Sequence, residues 1–155
     1  MKVGTIKECV YCQKDFEYGG RSQKWCPPCI KDIPEHVRRS STVKGRVSKL
    51  LWMAKNRAKT KNLEFDLTVD YLLELWENQA GVCVISGRAF QLGMVSKHRQ
   101  VNPDAPSIDR IIPERGYTKG NVRFLTYHTN VCVNEYGDEV LVKLLEDILA
   151  QRGRR

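Results

Sequence analysis

Every apolar run in this 155-residue chain is interrupted by charge, so no segment has the character of a membrane span. The opening residues, MKVGTIKECVYC, lack an apolar h-region and a cleavage site, which argues against secretion and for a cytoplasmic protein. Internal repeats and low-complexity tracts are missing too. The length excludes a nucleotide-binding domain joined to a separate substrate domain, and leaves one compact domain or a small domain beside a satellite. Carboxylates are absent altogether from His36 to Asn62.

What is present starts with charge. The acid-free stretch carries Arg38, Arg39, Lys44, Arg46, Lys49, Lys55, Arg57, Lys59 and Lys61, which account for the whole formal net charge of +8. Within it Val47, Leu50, Leu51, Ala54 and Ala58 recur at helical spacing, so one face can pack on a core while Lys49, Arg57, Lys59 and Lys61 stay in solvent. A solvated helix face is the bland reading. Twenty-seven residues without an acid favour a phosphate-binding segment. A membrane surface is the poorer partner, because the apolar face is modest and rich in Ala. A hydrophobic content of 41% is enough for a core and excludes global disorder.

The chain reads as α+β in three parts: a Cys-bearing module over 1–35, a basic helical segment over 36–81, and a core over 82–155 built from a hairpin, a helix and a C-terminal helix. LEFDL (63–67) is a short extended piece. Thr68 caps a helix with Val69, Leu72, Leu73 and Trp76 on one stripe, ended by Gln79-Ala80-Gly81. CVISGRAF reads as a strand turning at Ser86-Gly87, and 91–107 as a loop. SIDRII and NVRFL are apolar runs of strand length joined by the turn-rich PERGYTKG. A helix follows Leu125 to about Val133. A last helix over Asp138–Gln151 is expected to bury Val140, Leu141, Leu144, Leu145, Ile148 and Leu149.

Cys9-x2-Cys12 and Cys26-x2-Cys29 are separated by thirteen residues. Two such knuckles can set four thiolates tetrahedrally around Zn²⁺. A 35-residue module with little apolar content beyond Phe16 and Trp25 cannot form a core alone, so the metal would supply its folding energy. With four Cys ligands the site has no open position for a catalytic water and is structural. Disulfides would need an oxidising compartment that nothing in the chain suggests. Cys83 and Cys132 stand alone and read as core thiols.

The densest chemistry lies in SIDRIIPERGYTKGNVRFLTYHTN (107–130). Asp109 sits at the end of an apolar run, Asn121 opens the next, and Asn130 lies on the following helix. A hairpin crossed by that helix can bring Asp109 and Asn130 to one point, as two hard oxygen ligands for Mg²⁺ or Mn²⁺. Phosphodiester cleavage needs such a site, with a separate group to activate water.

On CVISG, SIDRI, GYTKGNVRF and the closing Asn130, residues 82–133 resemble the HNH, or ββα-metal, endonucleases. The resemblance implies a metal-dependent nuclease acting on double-stranded DNA and leaving a 5′ phosphate. It makes Asp109 and Asn130 the metal ligands and Asn121 a brace of the intervening loop. At the family's general-base His this chain has Arg110, which stays protonated and cannot deprotonate water. An Asp-Arg…Gly-Tyr sub-branch, seen in phage proteins and rare-cutting restriction enzymes, implicates the Tyr and Arg in activating the nucleophile. Here these are Tyr117 and Arg110, with Arg110 expected to favour the phenolate.

His128 and His98 remain substitute bases. The knuckle positions around the family hairpin hold Ser86, Thr126 and Thr129, so apolar packing by Cys83, Ile85, Ile108, Ile111, Val122 and Phe124 is expected to hold this one. Plainer roles stay open: Asp109 as a turn cap, Arg110 as an ion-pair partner of Asp109 or Glu114, and Tyr117 as a packing aromatic. The alternative function is a DNA-binding protein that keeps the fold without catalysis. A homodimer would allow symmetrical cutting of both strands, but no heptad marks a seam.

Overall fold

Residues 3–9, 14–20, 26–32, 41–92, 102–134 and 136–153 are described by the structure, a computed structural model. Cys12, Arg38, Arg39 and His98 lie outside the described residues. The architecture is α+β: short antiparallel ribbons combined with helices.

In the N-terminal part, β1 (Ile6–Glu8) pairs antiparallel with β2 (Asp15–Glu17), and α1 (Pro27–Asp32) follows. Cys9, Phe16 and Cys26 are buried together with Cys29 against them.

The acid-free stretch forms α2 (Val43–Lys61). Thr42 starts it by accepting a hydrogen bond from the Gly45 N–H (3.1 Å). Asn62, at φ +50°, ends it, a conformation Asn tolerates better than most residues. Val47, Leu50, Ala54 and Ala58 are buried along one face, while Lys44, Lys49, Lys55, Arg57, Lys59 and Lys61 are exposed. Thr68 caps α3 (Val69–Asn78), its hydroxyl accepting from the Tyr71 N–H (3.2 Å).

The hairpin pairs β3 (Pro106–Arg110) with β4 (Val122–Thr126), and Asp109 lies directly opposite Arg123. Ile108, Val122 and Phe124 join Val47, Leu50, Ala54 and Ala58 of α2 and Leu72 and Trp76 of α3 in one core. The 36–81 and 82–155 parts of the chain therefore share apolar packing, and α2 forms a wall of the hairpin's own layer.

Gln79 locks this layer. Its amide Nε2 donates to the Phe124 carbonyl (2.9 Å), and its Oε1 accepts from the Phe124 N–H (2.9 Å). It thus pairs the edge of β4 where a two-stranded ribbon has no third strand.

Three local expectations need correction. CVISGRAF forms a turn closed by a single bridge, Val82 to Ala89, rather than a strand. Its Ser-Gly end folds back through a bond from the Gly87 N–H to the Cys83 carbonyl (2.8 Å), and this uses up ladder capacity. Ile111 is half-exposed, because the chain leaves the ladder after Arg110 and turns outward. Cys132 is exposed on α4 (Tyr127–Val133), whose inward residue is Val133.

Polar contacts as well as apolar ones hold the 83–86 turn to the hairpin. Thr126 and Thr129 share a hydrogen bond (2.7 Å), and Thr129 reaches Ser86 (3.5 Å). Burial pushes the Cys83 thiol up, but the Ser86 hydroxyl and the backbone at Ser86, Thr126 and Ile85 outweigh it and hold the thiol at about 7.

The largest departure is α5 (Asp138–Arg152). Only Leu141 is buried, against Cys83, Leu125 and Val133. Val140, Leu144, Leu145, Ile148 and Leu149 are all exposed, because α5 meets the body of the protein only near its start.

Candidate functional site

Asp109 reaches its place because β3 alternates faces. Ile108 points into the α2–α3 core, and Asp109 lies buried beside its ladder partner Arg123. The Arg123 Nε donates to Asp109 Oδ2 (2.8 Å). Its two terminal nitrogens donate to both oxygens of Asp138, the first residue of α5. Burial pushes the Asp109 carboxyl above its ordinary range, and the Arg123 guanidinium only partly offsets this. The two carboxylates beside Arg123 drive its own titration far above the ordinary value.

Asn130 projects from α4 toward the same strand. Its amide Nδ2 donates to Ser107 Oγ (2.7 Å), which leaves the amide oxygen as its free-facing acceptor. Asp109, Arg110, Tyr117 and Asn130 line one cleft of about 180 Å³, together with Arg57 and Lys61 from α2. Four residues from one stretch, 109–130, are thus gathered beside two bases of the acid-free helix that lies well before them in sequence. The Arg110 guanidinium carbon stands 5.2 Å from the Tyr117 ring centroid, in cation–π range, and its Nη1 donates to the Pro113 carbonyl (2.8 Å). The partner of Asp109 is therefore Arg123, not Arg110.

The loop between the strands is fixed by three sets of bonds. Asn121 donates to the carbonyls of Ile112 and Gly116 (2.8 Å each) and accepts from the Ile112 N–H (3.0 Å). The Tyr117 N–H donates to the Glu64 carbonyl (2.9 Å), which pins the loop to the 64–67 segment. Asp66 accepts from the Lys119 N–H (2.7 Å), and the Tyr71 hydroxyl accepts from the Gly120 N–H (2.8 Å). Gly116 is required at the crossing: it has φ +67°, and a Cβ there would stand 2.4 Å from the Glu64 carbonyl oxygen.

A second groove, about 400 Å³, continues along α2 past Arg57 to Arg46 and Lys49, with Ser107, Tyr127 and Asn130 on its other side. Arg46 is anchored by a bond from Nη2 to the Pro106 carbonyl (2.8 Å), and burial lowers its affinity for its proton. Lys44, Lys55 and Lys59 line neither hollow. Among the described residues no carboxylate pairs with a base of α2.

The thiol sulfurs of Cys9, Cys26 and Cys29 lie within 4.8 Å of one another, and the Cys26 N–H donates to the Cys9 sulfur (3.3 Å). Three soft donors at that spacing, one already receiving a backbone N–H, suit a tetrahedral zinc site. The donors at the hairpin, a carboxylate and an amide oxygen, are of the hard kind that suits Mg²⁺ or Mn²⁺.

Arg123, Asp138 and Ser107 belong to the site although their sequence context did not single them out. An opposite charge facing Asp109 across the hairpin was the available signal for Arg123.

No known family model matches this chain, and no curated protein matches it. Among solved structures it is similar to the rare-cutting HNH restriction endonuclease PacI, described as perturbing DNA. The two share 17% identity with a TM-score of 0.45, over 95% of this chain and 96% of that one.

Proposed function

We propose that this protein is a metal-dependent DNA endonuclease with a site of the HNH type. The observation that carries the reading is the shared cleft of Asp109, Arg110, Tyr117 and Asn130, walled by Arg57 and Lys61. Hard oxygen donors beside clustered cations form a place for a phosphodiester rather than for a neutral substrate.

Asp109 and Asn130 would hold Mg²⁺ or Mn²⁺. When bound, such an ion polarises the scissile phosphate and stabilises the leaving 3′ oxygen. Arg57 and Lys61 grip the phosphate and neutralise its charge. Tyr117, held by the Glu64 carbonyl, is as its phenolate the proposed proton acceptor for the attacking water; Arg110 over its ring balances the phenolate charge, and Tyr117 becomes the neutral phenol when it takes the proton. Asn121 keeps Tyr117 on station by tying both ends of the loop. Double-stranded DNA would lie along α2, with Arg46 and Lys49 contacting phosphates beyond the cleft and Lys44, Lys55 and Lys59 widening the basic surface, while Arg38 and Arg39 of the same acid-free stretch would add to the phosphate-binding charge. Cys9, Cys12, Cys26 and Cys29 would hold a structural zinc.

Supercoiled plasmid incubated with Mg²⁺ or Mn²⁺ tests this. The expected outcome is nicking by the wild type that Asp109→Ala and Arg110→Ala abolish and Tyr117→Phe strongly slows. Binding without nicks in either metal, or full activity in Asp109→Ala, overturns the proposal. Full rate in Tyr117→Phe removes only the base assignment.

A further inference from the structure

The C-terminal helix α5 is amphipathic in sequence but has little to pack on. Taking 100° per residue, Leu144, Ile148, Leu141, Leu145, Leu149 and Val142 fall on one broad arc, and Glu139, Lys143, Glu146 and Asp147 fall outside it. Leu141 alone is covered, and the others on the arc are between 46% and 67% exposed. With Val140 they offer on the order of 500 Å² of apolar surface, at the upper end of what a monomer ordinarily shows.

We propose that this stripe is the seam of a homodimer, in which α5 of one protomer packs antiparallel on α5 of its partner. Two copies of the stripe would remove on the order of 1,000 Å² from water, the lower bound for a specific interface. Charge selects the partner. The chain as a whole is +8, yet α5 holds four acids, Asp138, Glu139, Glu146 and Asp147, against Lys143 and Arg152. It is therefore the element where two basic molecules approach with least repulsion, and where DNA or an anionic membrane finds least attraction.

Charge also selects the direction. The helix opens on Asp138 and Glu139 and closes on Arg152. A parallel pair would set like charges together at both ends, whereas an antiparallel pair sets the basic end of one copy against the acidic start of the other and also opposes the helix dipoles. The two-fold axis then passes near Leu145, midway between Asp138 and Arg152. Because Asp138 also holds Arg123, which holds Asp109, the seam begins two contacts from the hairpin cleft. A consequence for double-strand cutting rests on the nuclease reading; the association itself does not.

Sedimentation of the full chain without DNA, over a range of concentrations, tests the seam. The wild type should run at twice the chain mass. Leu145→Glu and Ile148→Glu should weaken association by about a hundredfold or more, with unchanged circular dichroism because both positions are half-exposed. In a Cys132→Ser background, Leu145→Cys should cross-link between protomers under mild oxidation and Leu149→Cys should not. A wild type that is monomeric at every concentration, or glutamate variants that still dimerise, overturns the seam. Cross-linking through both positions overturns the antiparallel arrangement. A dimer that never nicks DNA leaves the seam standing and removes the nuclease.

Discussion

Replacing Asp109 with asparagine separates a ligand from a structural carboxylate, because the two roles predict opposite effects on stability. Asp109 is almost fully buried, and its burial outweighs the Arg123 guanidinium, so the folded protein raises its titration above the ordinary value of 3.8. The sign follows. Between the ordinary value and the raised one, the folded state binds more protons than the unfolded state, so the Asp109 contribution to stability falls as pH rises through that window. Above it, the ionised carboxylate is a net cost to folding.

A neutral amide in place of this carboxylate would carry no such cost. It keeps an oxygen for the Arg123 Nε, and Arg123 keeps both bonds to Asp138. Asp109→Asn should therefore melt at or above the wild-type temperature at neutral pH, with its relative advantage growing from acid to neutral. On the proposed reading it should also lose a charged metal ligand worth several kcal/mol in the transition state, a fall of about a thousandfold in nicking rate. Melting curves across pH and plasmid nicking with Mn²⁺ measure both. A variant that melts clearly lower at neutral pH and still nicks at the wild-type rate would refute the reasoning, and Asp109 would then be an anchor for Arg123.

Other outcomes follow from the same contacts. Gly116→Ala forces a Cβ against the Glu64 backbone at a left-handed φ, so it should cost about 2–3 kcal/mol in denaturant melts and slow nicking further by displacing Tyr117. Gln79→Ala leaves the buried Phe124 N–H and carbonyl without their partner and should cost about 2–4 kcal/mol, a fall of roughly 10 °C in melting temperature; a change under about 0.5 kcal/mol would mean that water replaces the amide. On the proposed zinc reading, chelation should release the ion from the Cys9, Cys26 and Cys29 cluster, read by a metal indicator, and leave the main melting transition in place, because Cys9, Phe16 and Cys26 form a cluster separate from the α2–hairpin core.

Local rules made much of this molecule legible. Thr68 before a four-position apolar stripe, strand-length runs on either side of PERGYTKG, and a basic stretch with Ala and Leu at helical spacing are signals written within one or two turns of chain. Residue types and spacing alone point to a meeting of Asp109 and Asn130, whereas Arg110 and Tyr117 enter only through the family resemblance; all four line one cleft, and the chemistry assigned to them belongs to the proposal. What escaped was set by partners distant in sequence. The ion pair of Asp109 depends on hairpin register and on where α5 begins, and neither is fixed locally. The burial expected for α5 failed for a related reason: periodicity marks which face is apolar, not whether anything covers it. Cys132 shows the same limit, since its residue type suggests burial and its position on α4 decides exposure.

On the proposed reading, the charges around the cleft make metal and DNA depend on each other. Arg123 with Asp109 and Asp138 sums to one negative charge, while Arg110, Arg57 and Lys61 stand beside it. A divalent cation entering alone meets these cations and must compete with Arg123 for Asp109, so its affinity should be weak. A phosphate brought in by α2 neutralises Arg57 and Lys61 and supplies further oxygen ligands, which lowers the cost of the cation. Linkage makes the effect reciprocal: whatever DNA adds to metal affinity, metal adds to DNA affinity. An enzyme built this way holds its metal firmly only once a backbone lies in the cleft, and the basic helix packed beside the hairpin is the part of the fold that delivers it.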